Sequence, residues 1–304
     1  MCAALTRLDF EEQGSKKRTS LVFLARAAEV CPEDARAQFR LGRAARQLKE
    51  GEVARNAFRA TLELDPSHER AAFWLAALGS APPPGRAPID HLKALYDDYA
   101  PRYDEHLGKT LESKAPELVA KILVDNLEGD DLRGIDLGCG TGMSGAALLR
   151  EQGEKKKVLW RGVDLSNRMC DFAKQRGCYL DVRPMDLLEA LNHDDAYDCF
   201  VSCDVLVYFG SLEPFFKAAA ANARKNTKRQ RAIMAVTLED SDKGWDLTPT
   251  GRFRHSPDYV LSVAETHGWT NKSNDQAALR RQSGKTVLGR IYLFQYNQDS
   301  STDR

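Results

Sequence analysis

Apolar residues recur at helical spacing from Leu21 to Leu78, and at strand-like spacing later in the chain, with a proline-rich break between the two regimes. Leu21 to Val30 and Glu69 to Leu78 read as alanine-rich amphipathic helices. Pro32 and Pro66 each close such a helix and stand 34 residues apart (66 − 32), a spacing that marks an internal repeat. Leu41-Gly42, Ala54 and Phe58 supply its small and large packing positions, which gives one complete two-helix unit between two partial ones. Ser80-Ala-Pro-Pro-Pro-Gly-Arg-Ala-Pro88 cannot continue a helix, and it is expected to separate two domains. Beyond it a first strand ending at Leu137 is followed by Val158 to Leu165, Tyr179 to Met185, Tyr197 to Cys203 and Arg231 to Glu239, with helices in the gaps. That alternation predicts a parallel sheet. Ser256 as N-cap, Pro257 at the first helical position and Gly268 as C-terminal cap bound a helix from Pro257 to His267. Ala277 to Gln282 and Thr286 to Tyr296, separated by Ser283-Gly284-Lys285, predict a closing antiparallel hairpin.

The chemistry concentrates where the first strand ends, in Ile135-Asp-Leu-Gly-Cys-Gly-Thr-Gly142. Gly138, Gly140 and Gly142 allow positive φ and leave no Cβ between the backbone and a ligand. Amides at the start of the following helix would face the same place. The dinucleotide-binding turn G-x-G-x-x-G needs glycine at its sixth position, which is Met143 here, so a nicotinamide dehydrogenase is disfavoured. Asp136 is a carboxylate inside a strand expected to be buried on both faces, where apolar residues are the norm. This octapeptide closely resembles the first motif of class I S-adenosylmethionine-dependent methyltransferases. The resemblance implies a Rossmann-like seven-stranded α/β sheet, S-adenosylmethionine as cofactor, the glycines beneath its ribose and Asp136 beside its amino-acid end.

Other candidate positions lie at successive strand ends. Asp164 closes the second strand and can accept both hydroxyls of a ribose, with Leu165 beside it. Met169 offers a polarizable side chain to an adenine. Asp186-Leu187, after the third strand, offer an acceptor for the adenine amino group, or alternatively a helix N-cap. Cys203 and Asp204, after the fourth, are expected at the methionine end and the incoming substrate, and Tyr208 one turn later is a candidate to orient or deprotonate it. Asp204 and Tyr208 are thus the candidate catalytic residues. Cys139 is the thiol expected near the ligand, as a small residue tolerated in the turn.

Ahead of the first strand, Leu95-Tyr-Asp-Asp-Tyr-Ala-Pro-Arg-Tyr-Asp-Glu-His-Leu107 carries three tyrosines that could close over a cofactor, Tyr103 among them. Together with Gly251-Arg-Phe-Arg-His-Ser-Pro-Asp-Tyr259 and Leu279-Arg-Arg281, this segment resembles the predicted methyltransferases that carry tetratricopeptide repeats. The resemblance extends from about Leu21 to Phe294. It implies residues 1–80 as tetratricopeptide-like repeats, 81–90 as linker, 91–298 as methyltransferase domain and 299–304 as a disordered tail. One departure is the turn before the fifth strand, often Pro-Gly-Gly in such relatives and Asn222 to Lys228 here.

Composition narrows the partners. The 304 residues hold 44 basic and 44 acidic side chains, so no global field draws the chain to nucleic acid or to an anionic membrane. Lys155-Lys-Lys157 and the basic residues from Arg224 to Arg231 lack interleaved aromatics and read as solvated surface. No apolar run approaches a membrane span, and Met1 to Arg18 has acids where a signal peptide needs an apolar core. The seven cysteines show no C-x-x-C pair, which predicts free thiols, a cytoplasmic location and no zinc site. The expected function is methyl transfer to an oxygen or nitrogen of a small-molecule or protein acceptor, with a protein partner possible on the repeats. The competing reading is an adaptor that binds cofactor without turnover.

Overall fold

In a computed structural model, residues 14–153, 157–193, 195–227, 229, 231–282 and 285–297 are described. The expected tail at 299–304 and the turn residues Ser283 and Gly284 lie outside them, as do Lys155 and Lys156. The described residues fall into two compact units, one ending at Pro84 and taking in Leu247–Arg252, the other beginning at Gly85 and resuming at Phe253.

The first unit is helical. Its helices are α1 (Gly14–Val30), α2 (Ala35–Gln47), α3 (Gly51–Leu64) and α4 (Glu69–Ala77). The side chains of Asp34 and His68, again 34 residues apart, cap α2 and α4 by accepting from Arg36 N at 2.9 Å and Ala71 N at 3.2 Å respectively. Gly42 lets α2 and α3 close up, because a Cβ there would stand 2.6 Å from the Phe58 ring. The excursion Leu247–Arg252 was not anticipated. Within this unit Arg46 lies 3.5 Å over the Trp74 ring and donates to the Pro249 carbonyl, and a Cβ on Gly251 would meet Trp74 at 2.7 Å.

The second unit follows the expected alternation: α5 (Ile89–Glu105), a π turn (His106–Thr110), α6 (Ala115–Asp125), β1 (Leu132–Leu137), α7 (Met143–Gln152), β2 (Val158–Asp164), α8 (Asn167–Arg176), β3 (Asp181–Pro184), α9 (Leu187–Asn192) and β4 (Cys199–Ser202). A 3₁₀ turn (Leu206–Tyr208), α10 (Glu213–Arg224), β5 (Arg231–Glu239), a short pair β6 (Trp245–Leu247) and β7 (Phe253–His255), α11 (Pro257–Thr266), β8 (Trp269–Gln282) and β9 (Lys285–Asn297) complete it. The seven-stranded sheet has the order β3-β2-β1-β4-β5-β9-β8. Its first five strands are parallel, while β9 runs antiparallel to β5 and β8 antiparallel to β9. Strand order reverses between β1 and β4, the place where open α/β sheets bind ligands.

Strand periodicity divides the core. In β4, Phe200 faces a cluster with Leu191, Phe215, Phe216 and Phe294, whereas Cys199 and Val201 join Leu123, Leu148 and Trp160 on the other face. Each fully buried Leu or Phe contributes roughly 1.5–3 kcal/mol.

Several boundaries differ from expectation. Strand β8 begins at Trp269 rather than Ala277, because its first half pairs with β9 through polar residues that carry no apolar alternation. Asn222 belongs to α10 rather than to a turn, where its buried side chain donates to the carbonyls of Leu191 and Asp195. The linker ends sooner: Gly85 O accepts from Gly210 N and Ser211 N, and Ala87 N donates to Tyr208 O, so Gly85–Ala87 lie against the loop after β4. Cysteines 139, 170, 178, 199 and 203 are free. Cys31 is disulfide-bonded, which corrects the expectation of free thiols throughout; spacing rules detect local frameworks only. Among the described residues no helix is long and apolar enough to cross a membrane.

Candidate functional site

The glycine turn is pinned to β2 before any ligand is considered. Gly138 N and Cys139 N both donate to the Val163 carbonyl, at 2.8 and 2.9 Å, and Gly142 N closes the turn on Cys139 O. Gly138, Gly140 and Gly142 have φ of +85°, +52° and +90°. A Cβ at Gly138 would strike Val205 at 2.3 Å, while one at Gly140 would find only the Tyr103 ring, at 3.8 Å. Space above Gly140 is therefore kept open by the absence of a side chain.

That space belongs to a cavity at the carboxyl ends of β1 to β4. Its wall contains Tyr103, Gly138, Gly140, Asp164, Leu165, Met169, Asp186, Leu187, Cys203, Asp204 and Tyr208. Eleven of the thirteen candidate site residues thus come together. Cys139 lines a second, smaller space that shares Tyr103, Gly138, Gly140, Cys203 and Asp204 with the first. Its thiol packs with Cys170, Ala173 and Val182 and is pushed well above the usual thiol range by burial.

Asp136 lines neither space. Ile135 and Leu137 face one core cluster, so alternation turns Asp136 to the opposite face of the sheet. There its Oδ2 accepts from the Tyr179 hydroxyl at 2.6 Å, that hydroxyl accepts from Gly145 N at 3.1 Å, and Oδ1 has no partner. Burial pushes its carboxyl up to about 7, with the nearby Asp164 charge adding to the rise and the Tyr179 hydrogen bond opposing it.

Asp164 faces the cavity and stitches two turns together. Its Oδ2 accepts from Gly140 N at 3.0 Å and its Oδ1 from Ser166 N at 2.9 Å. Burial raises its carboxyl to about 6 despite those two amide donors. Asp186 lines the cavity, but Oδ1 caps α9 through Leu188 N and Oδ2 is ion-paired with Arg86. The N-cap that the sequence offered as the alternative is thus made, and each oxygen keeps acceptor capacity beyond its one partner. Arg86, stacked 4.3 Å over Phe209, was read as linker, and its pairing with Asp186 spans 100 residues.

Asp204 has φ +60°, uncommon for a residue with a side chain, and its amide donates to Thr237 Oγ1 at 2.7 Å. Its Oδ1 accepts from Arg280, which is 5% exposed and also donates to Glu239 Oε1 at 2.7 Å. The roof is α5. Asp97 accepts from Ser166 Oγ at 2.6 Å, and Asp104 accepts from the Thr141 hydroxyl and pairs with Arg176. Through these contacts α5 is latched to both ligand-facing turns. Tyr96 and Tyr103 line the cavity from it, and Tyr96 shares a hydroxyl hydrogen bond with Tyr208. Tyr103 is held well above the usual phenol range by burial and by the carboxylate of Asp204.

A family model described as a methyltransferase domain matches residues 135–228, from the glycine strand to the turn before β5. No curated protein sequence matches significantly. Among solved structures, a Leishmania major S-adenosylmethionine-dependent methyltransferase is 14% identical, covers 68% of this chain and 83% of its own, and has a TM-score of 0.52. The [4+2]-cyclase SpnF is also 14% identical, covering 69% of this chain and 97% of its own with a TM-score of 0.53. A Burkholderia thailandensis 1,6-didemethyltoxoflavin-N1-methyltransferase is 15% identical, covering 70% and 92% with a TM-score of 0.49. The sheet unit therefore has a Rossmann-like methyltransferase fold, with a seven-stranded and mostly parallel sheet.

Proposed function

We propose that the chain is an S-adenosylmethionine-dependent methyltransferase acting on an oxygen or nitrogen of a small-molecule or protein acceptor. The observation that carries this is the junction of Gly140 and Asp164: a turn open only because it is glycine, hydrogen-bonded to a carboxylate that faces a cavity at the sheet's switch point. The match of residues 135–228 to a methyltransferase domain supports it.

The residues present suit that cofactor. Asp164 has acceptor capacity beyond its two amide donors for a ribose diol, and Leu165, Met169, Met185 and Leu187 form an apolar wall for a flat base. Arg86 and Asp186, paired with each other, bound that end. Cys203 and Asp204 stand at the methionine end beside Gly138. When bound, the cofactor supplies a sulfonium-activated methyl group that asks for little acid–base help. Tyr96, Tyr103 and Tyr208 exclude water and hold the acceptor in line, which can supply most of the rate. Tyr103 keeps its proton and donates a hydrogen bond rather than acting as a base.

We propose in addition that α1 to α4 form a tetratricopeptide-type unit for docking a protein partner or acceptor, a reading supported by the matched caps at Asp34 and His68 and the close approach at Gly42.

Because a cyclase shares the fold, fold alone does not decide the chemistry. The test is calorimetry with S-adenosylmethionine, its demethylated product and NAD, followed by methyl-labelling of metabolite extract and lysate. Micromolar binding of the first two together with a labelled product is expected. Binding of NAD alone would refute the reading, and cofactor binding without any labelled product would favour the adaptor.

A further inference from the structure

The acceptor end of the cavity carries a charge pattern that narrows the substrate class. Asp204 lines both spaces beside the glycine turn, and Arg280, Glu239 and Asp204 form a linked group of two carboxylates and one guanidinium. Of the three, only Asp204 reaches the cavity wall, so a bound molecule meets a carboxylate there. The Thr237 contact and the Arg280 pair fix its direction.

Around it stand phenol rings. Tyr103 and Tyr208 lie 6.3 and 5.9 Å from Tyr96 between centroids, both edge-to-face, and all three line the cavity. Ring faces attract cations, and most strongly where water is excluded. Arg86, on the same wall, is committed to Asp186 and to the Phe209 face. A carboxylate, phenolate or phosphate acceptor would meet the like charge of Asp204, and the guanidinium on the wall is already paired with Asp186.

From this arrangement, and resting on the methyltransferase reading, we infer that the acceptor is an amine that enters as an ammonium ion recognised by Asp204 and the Tyr96, Tyr103 and Tyr208 rings. For transfer, the ammonium gives one proton to water and exposes its lone pair. The pair forms the nitrogen–carbon bond as the carbon–sulfur bond breaks, and the electrons of that bond stay on sulfur. The positive charge passes from sulfur to nitrogen, so Asp204 faces a cation before and after the step. An anionic acceptor would instead bring a like charge against Asp204 before the step.

The test uses the full chain saturated with S-adenosylhomocysteine and three probes of similar shape: 2-phenylethylamine, 3-phenylpropanoate and 2-phenylethanol, titrated by NMR or calorimetry. The amine should bind at least tenfold more tightly than either other probe, and Asp204→Asn should remove most of that preference. In the variant, S-adenosylhomocysteine affinity within threefold of wild type certifies the fold, and Glu239→Gln, which leaves the cavity wall intact, serves as a second probe of the group's charge. In parallel, product labelled from metabolite extract should be retained on a cation exchanger. Equal or tighter binding of the acid or alcohol, no binding of the amine, or label on an anionic or neutral product would overturn the inference. Failure of S-adenosylhomocysteine itself to bind would instead overturn the methyltransferase reading on which it rests.

Discussion

Asp164 makes cofactor affinity depend on pH in a direction that can be worked out. Burial holds its carboxyl at about 6 in the ligand-free protein, against donors from Gly140 and Ser166. Ribose hydroxyls would donate to the ionised form, so binding favours the carboxylate, lowers its pKa and releases a proton. Affinity is then full above pH 7 and falls as the solution passes below 6, tending to about tenfold per pH unit until the liganded pKa is reached. At pH 5 roughly nine in ten ligand-free molecules carry the protonated acid, so Kd should weaken about tenfold relative to pH 7.5, or ~1.4 kcal/mol. Titration with S-adenosylhomocysteine in two buffers of different ionisation enthalpy would read both the affinity and the proton release. Asp164→Asn should bind more weakly at neutral pH and lose the slope between pH 5 and 7. Asp136 is the rival source, since its own carboxyl sits at about 7. A slope that survives in Asp164→Asn and disappears in Asp136→Asn would refute the assignment, as would an affinity unchanged between pH 5 and 7.5.

Three further outcomes follow from the same geometry. Asp136 and Asp164 are both raised on folding, so their stabilising contribution is complete below about pH 4 and is lost as pH rises through 6 and 7; the ligand-free melting temperature should therefore fall from pH 5 to pH 8, and Asp136→Asn should flatten that fall. Gly140→Val places a side chain over the open cradle at φ +52°, which should abolish cofactor binding in calorimetry at a stability cost of about 1–2 kcal/mol by denaturant melting. Asp104→Ala removes the contacts to Thr141 and Arg176 that latch α5 over the site, and hydrogen exchange from 89–105 should quicken while β1 and β4 stay protected; unchanged exchange there would show that the latch does not hold α5.

The parts of the site legible in the sequence were those fixed by nearest neighbours along the chain. The turn at Gly138 to Gly142 is dictated by backbone conformations that few other residues adopt, and Asp164 stands out because it ends an apolar strand. Caps behave likewise: Ser256 bonds Tyr259 N three residues on, as its position before Pro257 implied. The strand from Trp269 escaped notice for a physical reason. As the sheet's edge it carries Asn271, Ser273, Asn274 and Gln276, and its pairing with β9 rests on backbone hydrogen bonds to which hydropathy is blind.

Long-range partnership accounts for the remaining differences, and it also decides what the carboxylates can do. Asp136, Asp164, Asp186 and Asp204 look alike as acids at or near strand ends, yet they have four different environments. Asp136 is turned by strand alternation onto Tyr179; Asp186 caps its helix and pairs with Arg86; Asp164 is given two amides and an open side; Asp204 is anchored by Arg280 from the terminal hairpin. The last three line the cavity, and Asp136 does not. Arg280 sits between the bulge at Ala278 and the end of β8, and it is buried because Asp204 and Glu239 arrive from β4 and β5 to meet it. A guanidinium so placed is costly unless paired, and truncating one member of such a buried pair usually costs about 3–5 kcal/mol. The terminal hairpin therefore does more than close the sheet: through Arg280 it sets the direction of the Asp204 carboxylate on the cavity wall.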